Sequence, residues 1–231
     1  MVTGFDRIVL AVPDIGVAVA QYRRLFGVPA IPHGPGGTGT AWLALANTII
    51  ALVEAPVERA GIRGLVFTTP EGGAVDRPVA NKAGLDLATC DGSASADFRA
   101  RADTAPPRAL QVDHVVLRTA DAEASLGLYA RRLGIRLALD RTVPAWGGRM
   151  LFFRAGKLTL EVIEPDSPPV QADHFWGIAY RCPDLGEEVA RLRREGVEVS
   201  EVRPGRKPGT RVATVKSHCL GIPTLLLEPA T

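Results

Sequence analysis

The sequence predicts an α+β protein made of tandem βαβββ modules that form curved mixed sheets, with the second module truncated. Three observations predict it. The stretch from Val112 to Asp166 reads strand, helix, strand, strand, strand. The stretch from Phe5 to Pro56 repeats it at an offset of 107 residues, His114 falling against Arg7. A second repeat sets Gly64 to Pro70 against Gly177 to Pro183 at an offset of 113 residues. Agreement over such lengths is the signature of an internal duplication.

The clearest unit begins with Val112-Asp113-His114-Val115-Val116-Leu117, whose β-branched, apolar character predicts a mostly buried strand. Asp121 then caps a helix whose face is formed by Leu126, Tyr129 and Leu133, and Gly134 supplies the left-handed residue that ends it. Strands are expected at 136–139, 149–153 and 158–163, with turns at Gly147-Gly148 and Ala155-Gly156. The first unit matches through Asp14 with Asp121, Tyr22 with Tyr129 and Gly27 with Gly134. The offset grows to 110 residues by the last strand, where Glu54 meets Glu164, so a loop carries a short insertion. The fourth unit is orderly: Asp184 caps a helix with Leu185, Val189 and Leu192 on its face. Strands are expected at 197–202, 211–215 and 224–227. The second unit is not. Gly72-Gly73 and Pro78 interrupt it, one strand is expected at 85–89, and 91–108 reads as a short helix plus linker. Two halves follow, 1–108 and 109–231.

The 231 residues hold 27 Lys and Arg against 25 Asp and Glu, a net charge of +2, which gives no footprint for nucleic acid or an anionic membrane. Apolar runs fall far short of the roughly 20 residues a membrane helix needs. The N-terminus shows no export signal, and three widely spaced cysteines form no zinc pattern, so a cytoplasmic, reducing setting is expected.

The motifs Asp113-His114-Val115-Val116-Leu117, Leu160-Glu161-Val162-Ile163-Glu164-Pro165 and Gly221-Ile222-Pro223-Thr224-Leu225-Leu226-Leu227-Glu228-Pro229 resemble the vicinal oxygen chelate superfamily of glyoxalases, extradiol dioxygenases and bleomycin-resistance proteins. The resemblance implies glyoxalase-like halves that curl into a cup around a divalent metal such as Mn, Zn, Fe or Ni. It implies ligands from mid-strand positions and a substrate that chelates the ion. Carried over, His114 and Glu161 are the ligands and catalytic groups of the third unit. The fourth unit has Gly177 and Leu225 at these positions, the first has Arg7 and Ala51, and the second has Gly64. His174 is a candidate third ligand, with His218 a further one; His33 reads as a loop residue. Trp146, Trp42 and Trp176 are candidates to stack on a flat substrate. Two functions are therefore expected: a small-molecule enzyme of glyoxalase or dioxygenase type, or a metal-free protein that sequesters a small molecule. Association as a homodimer is left open.

Overall fold

A computed structural model describes residues 1–34, 39–101, 110–144 and 147–230. The first half contains β1 (Gly4–Val12), α1 (Ile15–Phe26), β2 (Ile31–Pro32), β3 (Thr40–Ala44), β4 (Ile49–Glu54), β5 (Gly61–Thr68), β6 (Arg77–Pro78), β7 (Asp86–Cys90) and α2 (Ser93–Arg101). The second contains β8 (Gln111–Arg118), α3 (Ala122–Ser125), β9 (Arg136–Val143), β10 (Gly148–Ala155), β11 (Leu158–Pro165), β12 (His174–Arg181), α4 (Leu185–Arg194), β13 (Arg203–Pro204), β14 (Arg211–Val215) and β15 (Thr224–Glu228). The strands form two mixed sheets, in orders β2-β3-β4-β1-β5-β7-β6 and β13-β14-β15-β12-β8-β11-β10-β9. Each chain half thus makes its own sheet, with its first strand near the centre.

The repeat holds at the level of register. β1 pairs in parallel with β4, setting Val9 against Ala51, and β8 pairs in parallel with β11, setting Val116 against Glu161. Even the irregularities recur. The pairing of β1 with β5 skips Asp6, and that of β8 with β12 skips Asp113. Asp14, Asp121 and Asp184 cap their helices through Val17, Ala124 and Glu187 N–H groups. Gly27 and Gly134 close the first two at φ 67 and 69°, where a Cβ would be strained.

Three elements differ from expectation. The helix after Asp121 is α-helical only to Ser125; Leu126–Arg132 continues as a π-helix, with Leu133 N–H donating to Leu128 C=O at 3.0 Å. Residues 197–202 make only an isolated bridge at Val199. There side chains share the pairing with the backbone: Glu198 N–H donates to Ser217 Oγ at 2.8 Å and Thr214 N–H to Ser200 Oγ at 2.9 Å, while Ser200 N–H donates to Thr214 C=O and Lys216 N–H to Glu198 C=O. The second module has only a two-residue β6 where a full strand would return, and α2, which follows β7, covers strands β3 and β4 of the first module. Ala94 and Phe98 of α2 pack on Trp42, Ala44, Ile49 and Ala51, the sheet face turned away from α1.

The helix-bearing faces of both sheets share one hydrophobic core, which runs from Ile8, Leu10 and Phe26 through Val115 and Leu160 to Tyr180 and Leu226. Phe26 meets Tyr180 edge-on across the seam, with ring centroids 5.1 Å apart. Arg191 of α4, 6% exposed, donates to the carbonyls of Arg24 at 2.9 Å and Leu25 at 2.6 Å and pairs with Glu188. Those carbonyls are the unsatisfied groups at the end of α1. Asn47 clamps Val112 with two hydrogen bonds of 2.7 and 2.9 Å. The three cysteines are free and buried, and no helix among the described residues is long and apolar enough to cross a membrane.

Removing Arg191 leaves Glu188 and two helix-end carbonyls without partners. Arg191→Ala is expected to lower the unfolding free energy by about 3 kcal/mol in urea titrations monitored by circular dichroism.

Candidate active site

The face of the second sheet turned away from its helices carries the candidate residues His114 and Glu161. Val112, Val115 and Leu117 of β8 point into the shared core. Strict alternation would put Val112 on the same face as His114 and Asp113 on the opposite one. The bulge at Asp113 overturns that expectation: Val112 faces the core, and Asp113 and His114 project together onto the other face. Glu161 joins them from β11, because Leu160 and Val162 on either side of it lie in the core.

His114 sits between two carboxylates. Its Nδ1 lies 3.0 Å from Asp113 Oδ2, and its Nε2 lies 3.5 Å from Glu161 Oε2. The side chains of Asp113, His114 and Glu161 are 23, 21 and 17% exposed, so the array is mostly withdrawn from water yet reachable. Arg181 Nε stands 3.3 Å from the other oxygen of Asp113. Burial lowers the pKa of His114, but the hydrogen bond to Asp113 and the charges of Glu161 and Asp113 more than offset this and raise it. Burial raises the pKa of Glu161, with the charges of His114 and Arg206 opposing. Burial also pushes Asp113 up, but its hydrogen bond to His114 and the charges of His114, Arg181 and Arg154 win and hold it low.

The other expected residues do not converge there. His174 opens β12 opposite Arg118, whereas His114 faces Ala179 in the same pairing. Five residues of strand, roughly 16 Å, separate those positions. His174 is exposed, and its Nδ1 lies 3.0 Å from Ala172 C=O. His218 lies at the seam between the halves, 2.8 Å from Ser217 Oγ and 3.5 Å from Arg24. Trp42 is buried in the first half, stacked on His33 with centroids 3.4 Å apart and met edge-on by Phe98. Trp176 is 48% exposed on β12, where it is the residue skipped in the pairing with β8. Trp146 lies outside the described residues. By register the partner of Trp42 in the second half is Phe152: each stands opposite the equivalent residue of the next strand, Ala51 and Glu161. Sequence reasoning missed Asp113 and Phe152. The repeated Asp6-Arg7 and Asp113-His114 pairs were the available signal for the first.

The donors among the described residues do not fit a resident divalent metal. Among the described residues no group of three His, Cys, Asp or Glu could hold an ion. Asp113 and Glu161 lie at opposite nitrogens of the imidazole, so only His114 Nε2 and Glu161 point at a common space. Gly177 cannot be replaced by a ligand: a Cβ there would lie 2.7 Å from Pro223 O, because β15 approaches closely. The equivalent Gly64 is crowded in the same way by Asp86 O, at 2.0 Å.

Paired βαβββ modules with their first strands at the centre of mixed sheets define the vicinal oxygen chelate fold. Residues 113–214 match the sequence profile of the Glyoxalase/Bleomycin resistance protein/Dioxygenase superfamily. A variant of 4-hydroxymandelate synthase from Streptomyces coelicolor superimposes with a TM-score of 0.76 at 15% identity, over 99% of this chain and 93% of that one. At that identity the likeness is one of fold. Methylmalonyl-CoA epimerase from Mycobacterium tuberculosis aligns with a TM-score of 0.45 at 22% identity, over 52% of this chain and 88% of that one. No curated protein matches the sequence.

The raised pKa of His114 has a fixed sign. The proton it gains on folding stabilises the folded state fully below the ordinary histidine value, and that contribution is lost as pH rises through the raised one. In long-range 1H–15N spectra His114 is expected to titrate above the ordinary value of about 6.5, and Asp113→Asn is expected to bring it down. A wild-type midpoint below the ordinary value would contradict the array.

Proposed function

We propose that the open face of the second sheet binds a small organic molecule and that Glu161 and His114 move a proton on it without a resident metal. The observation that supports this reading is the array Asp113–His114–Glu161, the two carboxylates at 3.0 and 3.5 Å from opposite ring nitrogens. Asp113 fixes the orientation of the ring and keeps a proton on Nδ1, which leaves Nε2 to exchange with Glu161. The raised pKa makes Glu161 a stronger base than an ordinary carboxylate, suited to taking a proton from a carbon acid. The imidazolium of His114 then lies beside the charge the substrate develops, with Arg181 and Arg206 adding to the positive field.

Loss of an α-proton from 2-oxo acids and 1,3-dicarbonyl compounds in D2O, followed by 1H NMR, tests the reaction type. Wild-type protein is expected to accelerate exchange of at least one such compound, and Glu161→Gln to slow it by about 100-fold or more. Exchange that Glu161→Gln leaves intact would exclude the pair as its agent.

The rival reading, a sequestering protein without chemistry, draws support from the apolar side chains on the same face. Phe152 and Leu225 share it with Glu161, on strands whose alternate residues Leu151 and Leu226 enter the core. A ligand that binds with no exchange in any member of the panel would favour that reading.

Metal content separates both from the metal-dependent reading that the superfamily suggests. Equilibrium dialysis with Mn2+, Zn2+, Fe2+ and Ni2+ is expected to give no stoichiometric site that His114→Ala abolishes. Saturable binding that depends on His114 would return a metal to the reaction.

A further inference from the structure

One sheet face of this duplicated chain is covered by its own helix, and the covering shows what shape the equivalent face of the other half accepts. Register fixes the equivalences. Trp42 and Ala51 pair in the first half as Phe152 and Glu161 do in the second. One step along, Ala44 and Ile49 correspond to Arg154 and Thr159. In the first half the ring of Phe98 lies 5.2 Å from Trp42 at 70°, in contact with the apolar floor of Ala44, Ile49 and Ala51. Phe98 is 4% exposed there. In the second half Phe152 is half-buried and Arg154 is exposed. The aromatic wall is kept, while the floor changes from two alanines and an isoleucine to an arginine, a glutamate and a threonine.

We infer that the equivalent face of the second half takes a planar aromatic carboxylate, its ring against Phe152 where the first half holds Phe98 and its carboxylate toward Arg154. The inference rests on reading this face as the ligand site and names the class of molecule it takes. Charge agrees with it. Arg181 stands 3.3 Å from Asp113, Arg154 follows Phe152 on the same face of β10, and the charges of Arg154 and Arg206 act on Asp113 and Glu161 respectively. The first half shows the contrasting case. There Arg7, the counterpart of His114, is paired with both Asp6 and Asp76 and lies over Trp42, 5.1 Å from the ring centre. Its cation is neutralised, and its aromatic wall is covered by the chain itself. An aromatic ring over Phe152 gains a directed ring–ring contact that a saturated ring of the same size lacks. A guanidinium offers the carboxylate a planar, two-pronged partner.

Isothermal titration with 2-naphthoate tests this on the full chain, with decalin-2-carboxylate as the saturated control. Wild-type protein is expected to bind one naphthoate and to bind the decalin acid several-fold more weakly. Phe152→Ala and Arg154→Gln are each expected to weaken naphthoate by about tenfold. Arg154→Gln changes an exposed side chain, so it reads the carboxylate contact even if Phe152→Ala unfolds the sheet. Equal affinity for the two acids, absence of naphthoate binding, or unchanged affinity in Arg154→Gln would each overturn the inference. Glu161→Gln separates this from the proton-transfer reading. Naphthoate affinity is expected to hold or tighten in that variant, because a like charge beside the ligand's carboxylate is removed, while exchange is lost. If naphthoate fails to bind but a 2-oxo acid still exchanges in a Glu161-dependent way, only the aromatic assignment falls. If naphthoate binds as expected but nothing exchanges, the aromatic assignment stands and the proton-transfer reading falls.

Discussion

An extended strand sends successive side chains to opposite faces, and β8 breaks that rule once. The bulge at Asp113 inserts one residue against β12, so a carboxylate and the imidazole after it emerge on the same side. That single offset produces the hydrogen bond that orients His114, raises its proton affinity and turns Nε2 toward Glu161. It also returns Val112 to the core, where alternation alone would have exposed it. Without the bulge Asp113 would face the helices, and the array would be reduced to two groups.

The same bulge occurs at Asp6, which makes the divergence of the halves informative. Both copies place an acid beside the next residue on the face away from the helices. In the first copy that residue is arginine, held by Asp6 and Asp76, and α2 lies over the rest of the face. In the second it is histidine, with a glutamate where the first has Ala51. One copy is a structural support with an apolar cluster of its own, while the other presents a polar, accessible face. The truncation of the second module accompanies this division: its return is reduced to β6 and β7, and the chain beyond β7 forms the covering helix.

Most of the architecture was legible in the sequence because its signals are local and repeated. Caps at Asp14, Asp121 and Asp184, terminal glycines at 27 and 134, and constant offsets fix elements and their order. His114 and Glu161 were named together from the family resemblance, at mid-strand positions of β8 and β11. What escaped notice depends on contacts between distant strands. A bulge leaves no mark in one strand's composition, so Asp113 was assigned to the wrong face. Phe152 emerged only when cross-strand register linked it to Trp42. His174 looked adjacent to the site because strand identity, not position along the strand, was all the sequence supplied. The crowding at Gly177 by Pro223 likewise belongs to a parallel neighbour nearly fifty residues on.

The seam between the halves has a consequence for how the chain divides. Arg191 ties α4 to the end of α1, Phe26 meets Tyr180, and Asn47 grips the first residues of β8. The apolar faces of both sheets close on each other rather than each on itself. The two repeats of the ancestral unit are therefore not two independent bodies on a string. Made as separate polypeptides, each would present half of a greasy interior to water, and they would regain a native core by finding one another, much as the two pieces of a cleaved, self-complementing protein do.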